Sequence, residues 1–119
     1  INISSVDGAV IENVNISNLV VMDMHVPLCI RVGHRNRGVK GNPKSAIRNV
    51  KISGITAKAE SWISNSITAT PGHILENISI SDFMLQAKRP RKGLPRAEGV
   101  RLHIAFQRVL CKKRQQHYL

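Results

Sequence analysis

Aromatic residues make up only 3% of the 119 positions, with one Trp, one Tyr and two Phe. A core built on large rings is therefore excluded, and apolar packing must come from Ile, Val, Leu and Ala. Two cysteines, Cys29 and Cys111, cannot make a disulfide framework and do not identify a redox compartment. No uninterrupted apolar run approaches the roughly 18–20 residues of a spanning helix, which excludes one. A helical 3.6-residue period with capping signals is missing from residues 1–87. Five scattered histidines and two distant cysteines have no metal-ligand spacing, so we expect neither a metal nor a cofactor. The chain opens at Ile1 with no Met and no charged-then-apolar leader, and we read it as an internal fragment.

What is present is aliphatic and basic. The hydrophobic fraction of 42% excludes wholesale disorder, and the length fits one domain or a piece of one. Acidic residues are few: 7 Asp and Glu stand against 18 Lys and Arg, for a formal charge of +11. That charge is concentrated at one end. Residues 1–87 carry 8 Lys and Arg and 6 Asp and Glu, whereas residues 88–119 carry 10 and only Glu98. The change opens at Lys88-Arg89-Pro90-Arg91-Lys92-Gly93 and divides the chain into two parts, 1–87 and 88–119.

An internal repeat organises the first part. Glu12-Asn13-Val14-Asn15-Ile16-Ser17-Asn18-Leu19 aligns with Arg48-Asn49-Val50-Lys51-Ile52-Ser53-Gly54-Ile55 and with Glu76-Asn77-Ile78-Ser79-Ile80-Ser81-Asp82-Phe83. Each copy reads Asn, Val or Ile, any residue, Ile, Ser, any residue, then a large apolar residue. Apolar alternation such as Val14 and Ile16 indicates an extended strand, and the apolar residue after the Ser-x step implies a bend into a second short strand. Two further β-rich stretches, Val26–Gly33 and Ser66–Gly72, lie between the copies. Several short strands per unit, at loose spacings of 36 and 28 residues, describe a parallel β-helix better than a sandwich.

Alternation also assigns faces. Leu28, Ile30 and Val32 should point inward with Cys29 and Arg31 outward, while Ile67 and Ala69 point inward with Ser66, Thr68 and Thr70 outward. Asn2-Ile3-Ser4, Asn15-Ile16-Ser17 and Asn77-Ile78-Ser79 match the glycosylation pattern. Because two of these fall inside the repeat, we read them as asparagines of a stacked ladder.

Val6-Asp7-Gly8, the Glu-Asn-Val-x-Ile-Ser-Asn-Leu unit, Val26-Pro27-Leu28-Cys29-Ile30-Arg31-Val32-Gly33-His34-Arg35, and Ser66-Ile67-Thr68-Ala69-Thr70-Pro71-Gly72-His73 followed by Glu76-Asn77-Ile78 carry a resemblance. Over about residues 3–87 the chain resembles the late coils of bacterial polygalacturonase-like proteins of glycoside hydrolase family 28. The resemblance implies an all-β fold, a right-handed single-stranded parallel β-helix of which about three coils are here. It also implies hydrolysis of galacturonide linkages in pectin, an acidic polysaccharide partner, and a secreted or periplasmic location. The family's Asn-x-Asp, Asp-Asp, Gly-His-Gly and Arg-Ile-Lys motifs do not occur in this chain. We therefore expect no catalytic residue here and an inactive chain.

Arg31, His34, Arg35 and Arg37 form a basic cluster at and after an exposed strand end, suited to bidentate contacts with carboxylates. With His73, which follows the Pro71-Gly72 turn, Arg31, His34 and Arg35 are the candidate substrate-binding residues. A solvated loop is the plainer account of Arg35 and Arg37, and a turn residue that of His73. A non-catalytic β-helix of carbohydrate-binding or adhesin type is the alternative function.

The second part departs from the family, whose members continue here with a Tyr-Pro-Glu stretch and a Gly-Phe-Tyr-Val-Arg strand. A shifted reading frame accounts for the difference. In the +1 frame, Gly93 to Arg101 can be re-read as Asp-Tyr-Pro-Glu-Pro-Lys-Ala-Phe-Gly, and Gln107 to Arg114 as Ser-Gly-Phe-Tyr-Val-Arg-Asn-Val. We expect residues 88–119 to be an out-of-frame or disordered basic tail, in which the apolar run from Val100 to Leu110 can still form a helix or strand by local propensity. A tail binding nucleic acid is the competing account. It has one Tyr, one Phe and no recognisable nucleic-acid module, so no nucleic-acid partner is expected.

Overall fold

The computed structural model describes residues 1–35, 40, 41, 43–59 and 65–86, together with the backbone of 87, 100–110 and 115–118. Arg37 and Cys111 lie outside the described residues. The chain is all-β, with no helix among the described residues and so none able to cross a membrane. Among the described residues, eight strands form two four-stranded sheets. One contains β1 (Asn2–Val6), β3 (Cys29–Gly33), β5 (Ser66–Ala69) and β8 (Gln115–Tyr118), in that order. The other contains β2 (Val10–Met24), β4 (Ala46–Ala59), β6 (Ile74–Ala87) and β7 (Val100–Leu110).

The first three strands of each sheet are parallel, and each repeat copy lies on the next in register. Val14 pairs with Val50 and then Ile78, Ile16 with Ile52 and Ile80, and Leu19 with Ile55 and Phe83. In the smaller sheet Ile3, Ile30 and Ile67 form a corresponding row. These rows are the core: Ile30, Ile52, Ile80 and Phe83 have no measurable exposure. Each such aliphatic side chain contributes about 1.5–3 kcal/mol by leaving water. The ion-pair row Glu12, Arg48, Glu76 lies on the surface, with Arg48 Nε 2.9 Å from Glu76 and its Nη1 3.9 Å from Glu12. Exposed pairs contribute at most about 1 kcal/mol, so the aliphatic rows decide the register.

Strands of 14 or 15 residues cannot run straight through so narrow a core. They bend where the backbone enters the left-handed region, at Asn13, Asn49 and Asn77 and again at Asn18, Gly54 and Asp82. Each bend takes one residue out of the two-residue alternation. The buried series in β4 therefore steps from Ile47 to Val50, from Ile52 to Ile55, and on to Ala57. Asn, Asp and Gly tolerate this conformation, and Asn adds a hydrogen bond between neighbours. Asn49 Nδ2 donates to Asn13 Oδ1 at 3.0 Å, and Asn77 Nδ2 donates to Asn49 Oδ1 at 2.8 Å.

That ladder corrects one expectation from the sequence. Asn77 is a ladder residue, but Asn15 is not, because it shares a row with Lys51 and Ser79 two positions beyond the bend. Asn2 likewise lies on β1, exposed, where its Oδ1 accepts from Ser4 Oγ at 2.7 Å.

Beyond Ala87 the parallel stacking stops. Strand β7 runs antiparallel to β6, and β8 runs antiparallel to β5. The run from Val100 to Leu110 is thus a strand, one of the two forms that its local propensity allows, but it does not continue the repeat.

Candidate functional site

The outward positions of β1, β3 and β5 form a polar face. Register places Ser4, Arg31 and Thr68 in one row and Asn2, Cys29 and Ser66 in the next. Between these rows the inward residues Ile3, Ile30 and Ile67 hold the strands to the core. Arg31 is exposed, as the alternation predicts, and stands between two hydroxyl residues. No carboxylate occupies the outward positions of these three strands. A guanidinium flanked by hydroxyls and an amide can bind an anionic, hydroxyl-rich ligand, but this row holds no group to act as general acid or base.

At one end of that face the chain turns between the two sheets, and here three loops meet in a hydrogen-bonded corner. Ser45 is fully buried at its centre. Its hydroxyl donates to the Gly33 carbonyl at 2.8 Å and accepts from the Gly8 N–H at 2.9 Å. Its backbone N–H donates to His73 Nδ1 at 3.0 Å. Because that nitrogen is an acceptor, a neutral His73 carries its proton on Nε2, from which it donates to His34 Nδ1 at 3.0 Å. His73 is 4% exposed, and burial, followed by the nearby charge of His34, pushes its pKa below the ordinary 6.5.

Arg35 extends the corner outward. Its Nε donates to Asp7 Oδ2 at 2.6 Å, its Nη2 pairs with the same oxygen, and its backbone N–H donates to Asp7 Oδ1 at 3.0 Å. The Arg35 side chain remains half exposed while Asp7 is largely covered. This contact holds the loop after β3 against the turn after β1.

The sequence candidates therefore separate into two groups. Arg31 stands on the open face. His34, Arg35 and His73 are brought together at the corner, where His73 is a buried positioning group with both ring nitrogens engaged. Asp7 and Ser45 complete the corner and were not among the candidates. Asp7 had a readable signal in the Asp7-Gly8 turn, which places both residues at positive φ. Ser45 had none, since its part depends on Gly8, Gly33 and His73, between 12 and 37 residues away.

Gly33 ends β3 where the next strand crosses close by. A Cβ at this position would lie 2.5 Å from Thr70 Oγ1, so the smallest residue permits the approach. Among the described residues no cluster of His, Cys, Asp and Glu could hold a metal ion. Comparison with known protein families, curated proteins and solved structures gave no match.

Proposed function

We propose that residues 1–87 are stacked coils of a right-handed, single-stranded parallel β-helix from a polygalacturonase-like glycosidase of family 28, acting on galacturonide linkages of pectin. The polar face of β1, β3 and β5 is its binding surface for the acidic polysaccharide. The observation that supports this best is the Ser4, Arg31, Thr68 row: a cation between two hydroxyl residues on neighbouring strands, the chemistry that an anionic, hydroxyl-rich ligand needs. Arg31 contacts galacturonate carboxylates, while His34, Arg35 and His73 shape the corner beside it.

Most glycoside hydrolases act through a pair of carboxyl groups flanking the scissile bond. The face has none at its outward strand positions, so catalysis belongs to coils outside this chain, which by itself binds without cleaving. The same lack of carboxylates favours the second reading, a non-catalytic carbohydrate-binding or adhesin-type β-helix. Incubation of the 119-residue chain with polygalacturonate should release no reducing ends, while binding is retained and neutral glycans are not bound. Binding confined to neutral glycans would refute the substrate class. The encoding DNA separates the two readings, since in-frame Asp-Asp and Gly-His-Gly motifs upstream support the hydrolase and their absence supports the binding protein.

A further inference from the structure

The hydrogen bonds at the corner run in one direction, and the group at their origin fixes it. A backbone N–H can only donate, so the Ser45 N–H, 3.0 Å from His73 Nδ1, holds that nitrogen as an acceptor. His73 then donates from Nε2 to His34 Nδ1 at 3.0 Å, with the two ring centroids 5.2 Å apart. The constraint passes to the second ring. Because His34 Nδ1 is an acceptor, a neutral His34 carries its own proton on Nε2. One buried amide thus sets both imidazoles in the same tautomer.

Such a chain has no place for another proton. The lone pairs that could take one are on His73 Nδ1 and His34 Nδ1, and each already accepts a hydrogen bond. Protonation at His73 Nδ1 would set it against the Ser45 N–H inside the corner, where His73 is 4% exposed and burial already holds its pKa down. Protonation at His34 Nδ1 sets that atom against His73 Nε2–H instead, on the outer, partly exposed ring, and leaves the Ser45 bond intact. The first proton therefore goes to His34 and parts the two rings.

The charged groups on the adjoining elements are Asp7 after β1, Arg31 on β3, Arg35 after it, Lys40 and Lys44 before β4, and Glu76 on β6. Asp7 is engaged by Arg35, and Glu76 by Arg48. Arg31, Lys40 and Lys44 are exposed, so a cation added at His34 enlarges a positive field that favours an anion. We propose that the His34–His73 contact is a proton-operated latch on the polar face: one proton parts the rings and turns His34 outward as an imidazolium, which joins Arg31 in holding the carboxylates of an acidic polysaccharide. The choice of ligand rests on the polysaccharide reading of that face, whereas the latch rests on the corner alone. Carboxylates keep their charge down to about pH 4, so mild acid strengthens binding, and by linkage the bound ligand draws the proton onto His34.

Nitrogen-15 spectra of the histidine rings and calorimetric titration with a galacturonate oligomer, both on the full 119-residue chain, test the two parts separately. When neutral, both rings should show the Nε2–H tautomer. As pH falls from 8 to 5, His34 should become doubly protonated before His73, with the Ser45 amide unmoved through that first step. Affinity for the oligomer should rise about three- to fivefold from pH 7.5 to pH 5.5, the range of an exposed ion pair, and His34→Gln should flatten the rise. A neutral His34 protonated at Nδ1, or a Ser45 amide that shifts with the first proton, would overturn the latch. An affinity indifferent to pH in the parent chain would overturn its part in binding. Absence of binding at both pH values would refute the polysaccharide face and with it that part, while the ring spectra would still decide the latch.

Discussion

Strands β2 and β4 carry the same repeat, yet one is a surface and the other a core. Leu19 in β2 is 39% exposed, whereas its register partners Ile55 and Phe83 are at 1% and 0%. Val14 and Ile16 are likewise only partly buried, while Val50, Ile52, Ile78 and Ile80 are enclosed. The local sequence sets which way a side chain points and where the strand bends. How much that side chain stabilises the fold depends on whether a strand lies on both sides of it.

The largest expected contrast follows directly. Ile55→Ala should cost about 3–4 kcal/mol in urea unfolding, because it opens a cavity beneath covered strands. Leu19→Ala should cost about 1 kcal/mol or less, since its site is already open to water. Equal losses would mean that β2 is as enclosed as β4. A smaller contrast is expected along the asparagine ladder. Asn49 bonds to neighbours on both sides and Asn13 to one, so Asn49→Ala should cost about 2 kcal/mol and Asn13→Ala about 1, both by the same unfolding measurement.

Much of the fold is legible in residues 1–87, for a physical reason. A stacked repeat writes its register into the sequence, so aligning Asn13, Asn49 and Asn77 also aligns the inward aliphatic positions. The bends are marked as well, because the residues at 18, 54 and 82 are Asn, Gly and Asp, types that accept the left-handed backbone. Arg31 was legible by simple alternation. The corner was not, because Ser45 and His73 act through contacts across loops, and a Pro-Gly-His turn looks the same whether its histidine is buried or exposed. The reversal of direction at β7 was also hidden, since alternation does not distinguish parallel from antiparallel pairing.

Two smaller effects sharpen the difference between the corner and the open face. Gly33→Ala should destabilise by about 1 kcal/mol through its approach to Thr70, and the double variant G33A/T70A should recover most of the loss. The corner should also respond to acid. His73 has a lowered pKa when folded, so the unfolded chain binds a proton more readily. Its contribution is complete above pH 6.5 and is lost as pH falls through the lower, folded value, when protonation at Nδ1 opposes the Ser45 N–H. Unfolding midpoints measured from pH 8 to pH 4.5 should show this slope in the parent and a flatter one in His73→Gln.

Amide-resolved nuclear magnetic resonance during titration with a galacturonate oligomer tests the proposed function most directly. Shifts should concentrate on Ser4, Arg31 and Thr68, weaken at least several-fold in affinity with Arg31→Ala, and leave the exposed residues of β2 unmoved. Shifts centred on β2, or an affinity unchanged by Arg31→Ala, would contradict the assignment of the β1, β3 and β5 face as the polysaccharide surface.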